Sequence, residues 1–182
     1  MSISLLLKVV SPPLNPRETG NPEQWLEVEK RVGVPLPPDY KEFIGLFGTG
    51  GFNDFIYPFN PFTGRTHLNL INGLAEQHEA ERVKRLNFRD DPTSIVHPFE
   101  LFPAADGLLP CGTTTNFGDY FFWQVKGNPD EWKVVLYNLR DGDYEMFATN
   151  FTGFISGVLT GDIVTSILPD DIMEDGEVIF SR

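Results

Sequence analysis

Apolar positions recur at helical spacing in the first half of the chain and at strand-like density in the second. Trp25, Val28 and Val32 stand three and four apart, which places them on one face of a helix. Asn21 suits the cap of that helix, Pro22 its first position, and Gln24 follows three after the cap, as in a capping box. Gly33 ends the helix and Pro35 forbids its continuation. Glu29 flanks the apolar stripe, either as a solvated rim residue or as an acceptor for the backbone of the next segment. Leu36-Pro37-Pro38-Asp39 opens a second helix. Its Tyr40, Phe43, Ile44 and Phe47 follow the i, i+3, i+4, i+7 pattern. Gly48-Thr49-Gly50-Gly51 must break it, because clustered glycines mark positive φ or close backbone approach.

Residues 52–62 are aromatic and proline-rich. They read as a short strand or sheet edge, since Pro58 and Pro61 lack ladder donors. Residues 70–88 form a mixed surface helix, with Ile71, Leu74, Ala75 and His78 on one face and charges such as Glu81 and Arg85 on the other. Residues 90–106 read as loop. From 107 the pattern is β. Leu108 to Cys111 is a short apolar run, and Asp119–Lys126 and Trp132–Leu139 are aromatic and β-branched segments. Gly127 to Glu131 fits a hairpin loop, and Asp141-Gly142 marks a second turn before Tyr144–Phe147. A last helix is capped by Thr149 or Asn150. It carries Phe151, Phe154, Ile155, Val158 and Leu159 on one stripe, and ends at Gly161. Gly153 and Gly157 weaken it in isolation and admit close packing on the sheet. Residues 177–180 can add an edge strand. The predicted fold is α+β, with N-terminal helices and a C-terminal helix packed on a mainly antiparallel sheet whose other face is partly open.

At 182 residues, this is expected to be one domain over residues 1–182, with an acidic C-terminal extension at 161–182. One cysteine, Cys111, excludes an internal disulfide. No apolar run nears the ~20 residues of a membrane span. The run Ile3–Val10 is interrupted by Ser4 and Lys8 and lacks a basic flank, so a secretory signal is not expected and the cytoplasm is the default location. Charge narrows the partners. Residues 1–91 carry 10 basic and 12 acidic side chains, and residues 92–182 carry 4 and 14, so −10 of the total −12 lies in the second half. Arg82, Lys84, Arg85 and Arg89 sit among acids and make no basic stripe. Direct binding to nucleic acid or anionic lipid is therefore disfavoured. A basic protein partner is favoured, although acidity also serves solubility.

Several of these residues resemble the SUKH superfamily, the Smi/Knr-type proteins. They are Trp25 with Glu29, then Leu36, Pro37, Asp39, Tyr40 and Phe43 within LPPDYKEF, then Gly50-Gly51. Pro110 and Gly112, Gly118-Asp119, and the helix bearing Phe151 and Phe154 continue the match over about residues 23–160. Thr49 stands where the family often has Asn, and the aromatic insert 52–106 is long. The resemblance implies a non-enzymatic binding module without a cofactor or shared catalytic constellation. Its bacterial members look like immunity proteins against polymorphic or contact-dependent toxins, often nucleases, and its fungal relatives regulate cell-wall synthesis.

Catalytic motifs are weak by comparison. Cys111 and His97 have no spacing that joins them as nucleophile and base, and a cysteine in an apolar strand is more often an inert buried thiol. His67, His78 and His97 are too scattered for metal ligation; His78 reads as a packed, hydrogen-bonded residue. Asp141-Gly142-Asp143 lacks the calcium-loop spacing and reads as a turn. No metal or cofactor is expected. Phe52, Phe55, Tyr57 and Phe59 cannot all face one way along a strand, so Tyr57 and Phe59 are candidate exposed anchors. With Asp54, Asp141, Asp143, Glu145, Asp170, Asp171, Glu174 and Asp175 they form the expected contact set for a basic toxin domain, the chain being a monomer or weak homodimer. The alternatives are a regulatory or scaffold domain and a carboxylate-dependent hydrolase.

Overall fold

The computed structural model describes residues 3–87, 99–115, 118–138, 142–169, 172 and 177–182, with side chains left out at 84–87. Helix α1 spans Ile3–Val9. It buries Ile3 and Leu6, with Val10 buried just beyond it, but exposes Leu5 and Leu7. Leu5 and Leu7 flank the short polar side of Ser4 and Lys8, so no single-sided apolar stripe marks it in the sequence as a helix. Helix α2, Pro22–Val32, begins with the expected capping box: the Gln24 N–H donates to Asn21 Oδ1 at 2.9 Å, and the Asn21 N–H to Gln24 Oε1 at 3.0 Å. Gly33 ends it in the left-handed region at φ 96°. Helix α3, Pro38–Phe47, buries the four predicted apolar residues, Tyr40, Phe43, Ile44 and Phe47.

The glycine-rich break does three jobs. Gly48 has φ 69°, and a Cβ there would lie 2.1 Å from the Arg17 carbonyl oxygen. Gly50 lets the Ser181 carbonyl approach, and Gly51 lies under the Tyr57 ring. Two short strands follow, β1 at Gly51–Phe52 and β2 at Ile56–Pro58. Asn53 and Asp54 turn between them with φ near +50°, a conformation that Asn and Asp tolerate.

Helix α4 is Leu70–Asn87. Its inner face is Leu70, Gly73 and Gln77, one position off the expected stripe; Ala75 and His78 are exposed. This corrects the reading of His78 as packed: its Nε2 lies 2.7 Å from the Phe102 carbonyl oxygen at the surface. The expected pair of Glu81 with Arg85 lies outside the described side chains, and Glu79 pairs with Arg82 at 2.6 Å. His97, Arg89, Asp90 and Asp91 lie outside the described residues.

The β meander is β3 (Leu108–Thr114), β4 (Asp119–Gln124), β5 (Lys133–Asn138) and β6 (Tyr144–Phe147). Pro110 and Gly112 flank a bulge in β3. A Cβ on Gly112 would meet the Phe121 ring at 2.9 Å, so only glycine fits there. Helix α5, Phe151–Thr160, is capped by Asn150, whose Oδ1 accepts from the Gly153 N–H at 3.1 Å, and ends at left-handed Gly161. Strand β7 is Phe180–Ser181.

All seven strands join one sheet in the order β6-β5-β4-β3-β2-β1-β7, every neighbour antiparallel. The fold is α+β, as expected. Phe121 and Trp123 face α3 and α5: the Trp123 ring lies 4.8 Å from Tyr40 and 5.8 Å from Phe151, and Phe121 lies 5.5 Å from Phe154. Tyr120 faces the other way, beside Glu76 and Gln77 of α4. That second face is covered over β3 to β5 and opens at β6, where Tyr144 and Met146 are 44% and 38% exposed. Among the described residues, no helix is long and apolar enough to cross a membrane.

Candidate partner-binding site

The described residues of the C-terminal extension, 161–169, 172 and 177–182, are tied to the domain as a strap. Beyond Gly161, the Ile163 N–H donates to the Gly157 carbonyl at 2.9 Å. The Ile163 side chain covers Gly157, where a Cβ would lie 2.6 Å from it. Gly157 therefore admits the strap rather than the sheet. The backbone N–H and hydroxyl of Ser166 both donate to Glu145 Oε1, at 2.8 and 2.7 Å. Leu168 is buried.

At the far end Asn53 acts as a clamp. Its Nδ2 donates to the Ile172 carbonyl at 2.9 Å and stands 3.4 Å from that of Glu177, while its Oδ1 accepts from the Ile179 N–H at 2.8 Å. The Ser181 hydroxyl donates to Asp54 Oδ1. Phe180 then enters the core, 5.1 Å from both Phe47 and Phe52. One described end of the strap is thus held at β6 by Glu145 and the other beside β1 by Asn53. Five strand spacings separate those strands, roughly 24 Å.

A groove of about 540 Å³ lies between the strap, the end of α5 and α1. Val9, Val158, Ile163, Val164, Leu168 and Val178 give it aliphatic walls, with Glu177 as its carboxylate. Sequence reasoning missed this groove. The apolar residues of the strap are legible, but nothing in their spacing says that they meet Val9 from the opposite end of the chain.

The expected contact set does not form one patch. Asp54 is exposed in the β1–β2 turn beside the strap. Tyr57 is half-buried, and burial, then the Asp54 charge, pushes its phenol up. Phe59 is 1% exposed and packs on Tyr120 and Gly73, so it belongs to the core; this corrects its reading as an exposed anchor. Asp143 is exposed at the far edge, and its carbonyl closes the hairpin by accepting from the Asn138 N–H at 2.9 Å. Glu145 is engaged by the strap. Partial burial raises its pKa, but hydrogen bonds from Ser166 and Thr165 outweigh that and hold it below the usual value. Asp141, Asp170, Asp171, Glu174 and Asp175 lie outside the described residues.

The family-motif residues build the scaffold. Glu29 Oε1 accepts from the Leu36 N–H at 2.9 Å and pairs with Lys41 Nζ at 2.7 Å, which settles the two readings of it in favour of the backbone. Pro37 caps α3 by its backbone alone. Asp39 Oδ2 accepts from the Thr152 N–H at 2.8 Å and its hydroxyl at 3.0 Å, joining the start of α3 to the start of α5. The Tyr40 hydroxyl donates to the Phe59 carbonyl at 2.7 Å. Trp25 lies edge-on to Tyr40 and Phe62, at 5.9 and 4.7 Å. Asp119 Oδ2 accepts from the Thr114 hydroxyl at 3.2 Å, and Gly118 leads into β4. Burial, then the Asp39 charge, pushes the Cys111 thiol well up, away from thiolate chemistry. Among the described residues, no three His, Cys, Asp or Glu side chains gather as a metal site.

A family model described as SUKH_6, SMI1-KNR4 cell-wall, matches residues 22–155. The match starts at the head of α2 and stops within α5, leaving α1 and the strap outside it. No curated protein and no solved structure matches the chain.

Proposed function

The chain belongs to the SMI1-KNR4 family of the SUKH superfamily, and on that footing we propose that it is a non-enzymatic protein-binding module, an immunity protein that holds a cognate toxin domain and blocks it. The observation that carries this reading is the charge asymmetry: residues 92–182 hold 14 acidic and 4 basic side chains. That half supplies β3 to β7, α5 and the strap. A surface of one sign raises the encounter rate with a partner of the other sign. A nuclease toxin is such a partner, because its cleft attracts phosphates; carboxylates that occupy the cleft exclude nucleic acid. Slow dissociation then comes from apolar contact. The cytoplasm is the compartment where such a toxin acts and where this protein would meet it.

The test is protection. Cells that express the toxin domain encoded beside this gene survive when the chain is co-expressed and die without it. Death in both cases, with the two proteins present at equal levels, contradicts immunity.

The family description names the cell wall, which favours a second reading: a regulatory or scaffold domain that binds an endogenous protein of wall synthesis. Under that reading, deletion of the gene alters wall integrity in cells that carry no toxin.

A further inference from the structure

We propose that the groove between α1, the end of α5 and the C-terminal strap receives a basic amphipathic helix of the partner, apolar stripe inward. This rests on the reading of the chain as a protein-binding module, and it names the surface and the chemistry that recognise the partner. The walls are aliphatic, and the volume of about 540 Å³ is that of a binding pocket, not a packing defect. Val164 lines the groove and is 78% exposed, and Leu5, one helical turn before Val9 on α1, is 51% exposed. Val164 leaves apolar surface in water at a concave site, the mark of an interaction surface.

The rim selects the partner's charge. Glu177 lines the groove and Asp162 stands exposed beyond Gly161. An acidic or neutral apolar segment gains nothing beside Glu177 and Asp162, whereas Lys or Arg flanking an apolar stripe pairs with them. The walls are side chains of two helices and of an irregular segment. A guest must therefore satisfy its own backbone hydrogen bonds, as a helix does. A second copy of this chain is a poor guest, because each copy carries −12.

Two synthetic helices of about 18 residues test this, one Leu/Lys and one Leu/Glu, with the same apolar stripe. Each is titrated into the full chain with labelled Ile, Leu and Val methyls. The Leu/Lys helix is expected to shift the methyls of Val158, Ile163, Leu168 and Val178 saturably, and the Leu/Glu helix to leave them in place. Val164→Glu discriminates further. It adds a rim carboxylate, so purely electrostatic adhesion would tighten, whereas insertion of an apolar stripe should weaken about tenfold. The same change at the remote exposed Val83 should not weaken binding. Equal shifts from both helices, shifts at Val83 and Val135 instead, no saturable shift, tighter binding by Val164→Glu, or shifts that grow with protein concentration alone overturn the groove. None of these touches the protection assay, so the groove can fail while the immunity reading stands, and the reverse.

Discussion

Glu29 shows how one side chain joins two elements. It accepts from the Leu36 N–H and from Lys41, both within 2.9 Å. Glu29→Ala strands a partly buried N–H and is expected to cost about 1–3 kcal/mol, read by urea unfolding. Gly50→Ala is expected to act differently. Its Cβ would lie 2.2 Å from the Ser181 carbonyl, a backbone atom that cannot swing aside. Hydrogen-exchange protection at Ser181 should fall, while Gly64→Ala, with open space around it, changes nothing. Residue roles set by chain neighbours were legible in the sequence: Asn21 as cap, Gly33 and Gly161 as stops, Glu29 seven residues from the Leu36 N–H that donates to it. Roles set by distant contact were not. Asp39 meets Thr152 across 113 residues, and Asn53 meets Ile179 across 126. Phe59 shares the aromatic composition of its segment, and what buries it is distant: it lies against Gly73 of α4 and the Tyr120 ring.

The strap is the element whose behaviour the sequence hid. Its carboxylates suggested a solvated tail, yet Ile163, Leu168 and Phe180 pin it across the molecule between Glu145 and Asn53. Asn53→Ala should expose residues 177–182 to limited proteolysis while α3 and the meander stay protected, because the Asn53 amide bonds to Ile172, Glu177 and Ile179. Acid should loosen the other anchor. The Glu145 carboxyl is held below its ordinary 4.5 by the Ser166 bonds that outweigh partial burial. A lowered folded-state value means the contact stabilises above the ordinary value and is lost as pH falls through the lowered one. The Ser166 amide should therefore lose exchange protection below about pH 4.5, after correction for intrinsic exchange, and Glu145→Gln should abolish that pH dependence. Helices α2, α3 and α5 and the β meander were legible because single-sided stripes and turn signals delimit them. Helix α1 was not, since Leu5 and Leu7 face water as Ile3 and Leu6 face the core.

For the molecule as a whole, the sequence yields the sign of the field and the family, and the fold shows what that field surrounds. A domain with −10 on one half of its chain should bind a basic partner with a salt-dependent association rate. Reversing Asp170, Asp171, Glu174 and Asp175 to Lys is expected to slow association at low salt by roughly tenfold or more. Dissociation should respond instead to Val164. Unchanged stopped-flow association rates would remove the C-terminal acids from the account. The central claim is that this protein acts by holding a basic toxin domain. Its most direct measurement is recovery of bound proteins from lysate of the source organism on the immobilised chain, eluted with rising salt and identified by mass spectrometry. The account predicts a basic toxin-like domain, retained at low salt and released as screening rises. A housekeeping complex, retained regardless of salt, would contradict it.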